Sequence, residues 1–147
     1  MSHDLRYILM GLCLACLPLL SGCGEVLNEY YISNHTNDDL MVVFRPFYPE
    51  TVDVLAGPLI PEIEGSVRES LTQPLEVIQN DDILRFTLPA QTTIYLGSVT
   101  GGNDLFAYLE VTAKNWQIAM DDDSYDTHFA VHDNFIGAIA HVFEIKP

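Results

Sequence analysis

The 147-residue chain carries Lys+Arg 6 against Asp+Glu 21, a formal net charge of -15, with hydrophobic residues at 48%. So acidic a surface, without any Lys/Arg cluster, repels phosphate backbones and excludes nucleic acid as a partner, and it repels anionic lipid headgroups as well. The apolar content excludes a disordered chain.

Residues 1–22 read as a secretory signal, with a polar start at Arg6, an apolar run from Tyr7 to Leu20 that favours a signal helix, and the small residues Ser21 and Gly22 at the cut. A transmembrane helix needs about 20 apolar residues, and this run is shorter and closed by Pro18 and Gly22. Leu20-Ser21-Gly22-Cys23 then resembles the lipobox of bacterial lipoproteins. The resemblance implies cleavage between Gly22 and Cys23, attachment of a diacylglycerol to the Cys23 thiol, and a further acyl chain elsewhere on Cys23. That covalent lipid is the sole cofactor expected. Each buried CH₂ adds about 0.8 kcal/mol, so several chains make a durable anchor. A cleaved signal without lipid is the alternative. Cys13 and Cys16 form a C-x-x-C inside the discarded run, which removes its redox or metal reading, and Cys23 is left with no disulfide partner. In enteric lipoproteins an Asp after the acylated Cys favours inner-membrane retention. Gly24 stands here, so the resemblance implies a place in the bacterial cell envelope on the outer membrane, its face left open.

About 125 residues then remain, the usual size of a single domain. Residues 23–28 make the lipidated Cys and a short tether; Gly24 to Asn28 spans roughly 17 Å when extended, so the domain at 29–147 stays close to the bilayer. Glu29 to Ser33 is β-rich, and Asn34-His35-Thr36-Asn37-Asp38 favours a turn before a second strand at Leu40 to Arg45, a predicted hairpin. From 46 to 65 the pattern breaks, because Pro46, Pro49, Pro58 and Pro61 remove backbone donors and Gly57 and Gly65 loosen the chain. This long loop still carries Phe47, Tyr48, Leu55, Leu59 and Ile60. Either it packs over the end or edge of a sheet, or these side chains form an exposed contact surface for a partner protein.

Leu75 to Gln79 and Ile83 to Leu88 flank Asn80-Asp81-Asp82 as a second hairpin, with Leu84, Phe86 and Leu88 on one face. Pro89-Ala90 makes a corner before a strand at Thr92 to Val99. Leu105 to Lys114 alternates with period two, which fits a strand better than a helix although its Ala and Leu suit either; Trp116 to Met120 is a short strand, and Tyr125 to His132 is another. Asp133-Asn134 then turns the chain into Phe135 to Ile145, apolar on both faces apart from His141 and Glu144 and suited to a central strand. The pattern predicts an all-β fold, an antiparallel β-sandwich or small closed barrel of about eight short strands. A lipidated sandwich of this size is similar to the small outer-membrane lipoproteins of type VI secretion assemblies, the likeness lying in the Leu88-Pro89-Ala90 corner and the stretch Tyr108 to Trp116. It carries over no site residues.

Chemistry-bearing residues gather late in the chain. Asp121, Asp123 and Asp126 are the candidate cation ligands, with Asp122, His128, His132, Asp133 and His141 nearby in sequence. Asp121-x-Asp123 begins like a calcium loop, but Asp126 stands where such a loop has Gly and His132 where it has a bidentate Glu, so a solvated acidic turn competes with it. On a strand, His128 and His132 stand roughly 13 Å apart, too far for one metal. Ser33, Ser66, Ser70, Ser98 and Ser124 lack an activating context, and Gly101-Gly102 lacks the Lys and helix start of a phosphate loop. Trp116, Tyr95, Tyr108 and Phe106 suit either a sugar-stacking face or plain sheet packing. The expectation is a non-enzymatic interaction or structural module in the envelope; the alternative is a ligand-binding module for glycan or calcium.

Overall fold

The computed structural model describes residues 26–49, 52–102, 104–121, 123–134 and 138–147, with Asp133 and Asn134 described by backbone only. The signal segment, its cleavage site at Gly22 and Cys23, and Asp122 and Phe135 lie outside the described residues.

Strand β1 (Leu27–Asn34) is buried on both faces, Tyr30 and Ile32 turned one way and Tyr31 and Ser33 the other. A strand with that pattern must be interior to its sheet and covered on both sides. It sits in a six-stranded sheet of order β10-β11-β1-β7-β3-β4, with β3 (Val52–Pro58), β4 (Gln73–Pro74), β7 (Thr92–Thr100), β10 (Ala130–Asn134) and β11 (Ala138–Ile145). Pairing is antiparallel except between β1 and β11, which run parallel with Tyr30 opposite His141.

The second sheet has five antiparallel strands in the order β5-β6-β2-β8-β9, made of β2 (Leu40–Pro46), β5 (Ile78–Asn80), β6 (Ile83–Leu88), β8 (Phe106–Thr112) and β9 (Gln117–Asp121). The inner faces meet in one core, where Ile32, Ile94 and Leu96 oppose Val42, Phe44 and Leu109. Each fully buried side chain of this kind contributes about 1.5–3 kcal/mol. The fold is an all-β sandwich; the sheets stay separate and no barrel closes.

Four expectations change. Residues 29–33 and 40–45 do not form a hairpin, because β1 and β2 belong to different sheets. The polar turn between them crosses the sandwich, held by the buried Asn34 amide, which donates to the Asp38 and Pro89 carbonyls (both 2.9 Å) and accepts from the Thr36 N–H (3.0 Å) and hydroxyl (2.7 Å). The stretch 46–65 is not wholly a loop, since β3 occupies Val52–Pro58; Pro46 and Pro58 stand at the last positions of β2 and β3, where proline costs little, and Pro49 and Pro61 lie outside the strands. Tyr125 to His132 is not one strand: a 3-10 turn takes Tyr125–Thr127 and β10 starts at Ala130. There the Thr127 hydroxyl donates to Ser124 O (2.7 Å) and the Phe129 N–H to Tyr125 O (2.9 Å), local bonds that outcompete a ladder. Finally, the described residues hold eleven strands, the short β4 and β5 among them, where the sequence predicts about eight.

Candidate partner-binding groove

The outward faces of the two sheets differ. On the six-stranded sheet the outward side chains are apolar, with Tyr31, Tyr95, Ala140 and Val142 forming a second cluster. Residues 59–72 fold over them, burying Ile63 and Leu71 and packing Ile60 and Val67 alongside. Polar bonds lock this cover down. The Tyr31 hydroxyl donates to the buried Glu29 carboxylate (2.7 Å) and accepts from the Val67 N–H (3.2 Å), while the Ile60 N–H donates to Thr93 Oγ1 (2.9 Å). Burial first, and the bond to Glu29 second, push the Tyr31 phenol well above its ordinary range. The Arg68 guanidinium lies 5.4 Å from the Tyr95 ring centroid and 3.1 Å from Asp53 Oδ2. Gly57 permits the close approach, because a Cβ there would stand 2.7 Å from Leu71 Cδ2 and 3.0 Å from Ser70 O.

No segment among the described residues covers the five-stranded sheet in this way. Its register brings Met41 opposite Thr87 and Thr112, and Val43 opposite Arg85 and Glu110, a mixed polar and apolar face. Toward its β5 edge this face sinks into a groove of about 460 Å³, walled by Met41, Leu75, Ile78, Phe86 and Pro89. Met41 is 57% exposed and Ile78 65%, which leaves the apolar rim in solvent. Two charges flank it, Glu76 and Arg85. Among the described residues Arg85 has no ion pair, whereas Arg45 is bound to Asp82 at 2.6 Å. β5 is the outermost strand, three residues long and exposed throughout, so one row of its backbone donors and acceptors faces outward.

The loop residues expected to meet a partner are divided by the fold. Leu55 and Ile60 are committed to the covered cluster, and Leu59 is half-buried with its N–H on Gln91 O (3.1 Å). Leu55 and Ile60 are corrected from contact residues to packing residues, because the face beneath them is too apolar to stay open. Phe47 and Tyr48 alone of that set are exposed.

Asp121, Asp123 and Asp126 are not brought together as ligands. Among the described residues no group of three His, Cys, Asp or Glu converges to hold a metal. The Asp121 carboxylate instead accepts the Ser124 hydroxyl (2.6 Å), and this bond holds the exposed carboxyl below its usual range. Asp126 sits in the 3-10 turn and is exposed, as is Asp123. His132 pairs with Ala140 and His141 with Val131, so the two histidines point to opposite faces of the sheet. The four aromatic residues considered for sugar stacking are likewise spread over separate surfaces. Phe106 is in the main core, Tyr95 in the covered cluster, Tyr108 on the outward face beside Glu110, and Trp116 in the β8–β9 turn. Of the serines, Ser33 is buried against the Thr93 hydroxyl (3.1 Å) and Ser124 is engaged with Asp121.

One buried polar group was not legible from the sequence as such. His141 stacks on Tyr30, and its Nε2 lies 3.0 Å from Asn28 Oδ1. Because Asn28 Nδ2 donates to Gly101 O (2.6 Å), its Oδ1 is the atom turned to the imidazole, so Nε2 carries the proton and Nδ1 is an acceptor. Burial lowers the His141 pKa, with Asp126 and Asp104 acting weakly the other way.

No family model matches the chain, and no curated protein or solved structure matches it either.

Proposed function

We propose that this chain is a lipid-anchored bacterial envelope lipoprotein whose sandwich is a non-enzymatic interaction module. The observation that carries the interaction role is the uncovered groove between Met41, Ile78 and Pro89, set against an opposite sheet face that the chain itself covers. The lipobox-like Leu20 to Cys23 supports the anchor, and Gly24 after it supports outer-membrane placement.

The occupant is a protein segment in extended conformation. It adds alongside β5, bonds to that strand's free backbone edge and lays apolar side chains on Ile78 and Met41. A net charge of -15 favours a basic partner and speeds its arrival at low salt. Arg85 then offers a local bond to a carboxylate or carbonyl of the segment.

A photo-reactive residue in place of Ile78, in bacteria producing the full chain, tests this. It should crosslink a partner whose modified peptide is basic, with the crosslink lost on Met41→Asp. A silent position 78 alongside an active position 68, on the covered face, overturns the groove as the binding surface.

A further inference from the structure

Among the exposed apolar side chains, Val26, Phe47 and Tyr48 stand at one end of the sandwich and Met41 and Trp116 at the other, while Val131 lies on the edge strand β10 and Ile78 on β5 opposite Arg85. Val26 (43% exposed), Phe47 (44%) and Tyr48 (45%) form one group. They are tied to the same connection: the Gly101 N–H donates to Val26 O (3.1 Å), and the Phe47 N–H donates to Leu105 O (3.0 Å). Leu105 is four positions on from Gly101, a reach of at most about 14 Å. Met41 lies at the other end of β2 from Phe47, six residues and roughly 20 Å away along the strand direction. Trp116 lies at that far end too, in the turn after Thr112, which pairs with Met41.

Chain length decides what meets the first group. Cys23 is three residues from Val26, a reach of at most about 11 Å. A lipid on Cys23 therefore brings the bilayer to this end of the sandwich and no other. Aromatic rings with an apolar body and, in Tyr48, a polar tip are the side chains that settle at headgroup depth. Asp104, beside Leu105 in the same connection, adds no attraction for anionic lipid.

We infer that Val26, Phe47 and Tyr48 form a membrane-seating face that beds into a zwitterionic lipid surface and holds the groove end away from the bilayer. The inference rests on the reading that Cys23 is lipidated. It goes beyond that reading by giving the domain a fixed orientation where a tether alone would let it swing. Phosphatidylethanolamine and phosphatidylcholine are the fitting surface, and phosphatidylglycerol weakens the seating by repulsion.

The test uses protein purified from bacterial membranes after expression of the full chain, its lipid state read by intact mass, in vesicles of brominated phosphatidylcholine. Two versions are compared: the natural chain, whose emission comes from Trp116, and Phe47→Trp in a Trp116→Phe background. The seating face predicts a blue shift and loss of most emission at position 47, with Trp116 unquenched. A lipidated chain that leaves position 47 unquenched, or quenches both positions alike, overturns the seating face while leaving the anchor standing. A chain without lipid overturns the anchor and the seating face together.

Discussion

Tyr30 and His141 lie face to face, ring centroids 4.5 Å apart and planes within 9°, on the parallel strand pair β1 and β11. The stack buries an imidazole whose proton is placed on Nε2 by Asn28, so the neutral ring fits and the charged ring does not. Its pKa is lowered by burial. In the unfolded chain the ring takes up its proton at about 6.5, while the native ring does so at lower pH. Between those two values the unfolded state binds more protons, so stability falls as pH falls. Thermal unfolding should show a Tm that is level above pH 7 and declines through pH 6. His141→Phe, which keeps a stacked ring and removes the titration, should flatten that decline; an unchanged slope contradicts the assignment.

Gly57 is where the covered sheet face depends on a missing side chain. Gly57→Val places its Cβ against Leu71 and Ser70, so the cover must shift. Overpacking of this kind costs about 1–3 kcal/mol. Denaturant unfolding should register that loss, and dye binding to exposed apolar surface should rise as Tyr31 and Tyr95 are uncovered.

Asn34 ties the turn after β1 to the Pro89 corner, and all of its amide bonds are made inside the fold. Asn34→Ala removes all four of these part-buried bonds, a loss of about 1–3 kcal/mol. Asn34→Asp should cost as much or more, since a carboxylate cannot donate to Asp38 O or Pro89 O. A denaturation midpoint equal to that of the natural protein would show the turn to be held by other bonds.

Calcium should leave the melting temperature unmoved at millimolar concentration. The Asp121 carboxylate is engaged by Ser124, and Asp123 and Asp126 do not converge with it. A rise that a chelator reverses would restore the cation site.

The groove should tolerate substitution without loss of fold. Ile78→Asp changes an exposed edge residue, and surface changes of this type usually stay within about 0.5 kcal/mol. Unfolding should be nearly unchanged, and crosslinking from a probe at Thr87 should disappear.

How far the sequence reaches depends on the element. β6 and β8 are legible because one face is core and the other solvent, so Leu84, Phe86 and Leu88, or Leu109 and Val111, alternate with polar neighbours. β3 is hidden by the prolines and Gly57 around it, although Pro58 ends the strand and Pro74 stands on a two-residue edge strand, positions where proline costs little. The turn at 34–39 announces a reversal, but nothing in its residue types says whether the next strand stays in the sheet or crosses to the other. Burial on both faces of β1 was the available clue. The groove was harder still, since Met41, Ile78 and Arg85 become neighbours only once β2, β6 and β5 are paired in register. The acidic cluster misled in the opposite way: closeness in sequence at 121–126 does not make the carboxylates converge.

The central claim is that this sandwich is moored to a bacterial envelope by lipid on Cys23. Intact-mass analysis of the processed chain from its membrane fraction tests it most directly. The expected product is a polypeptide beginning at Cys23 and heavier than its residues by a diacylglycerol and an acyl chain. A product that starts elsewhere, or one whose Cys23 thiol is unmodified, contradicts it.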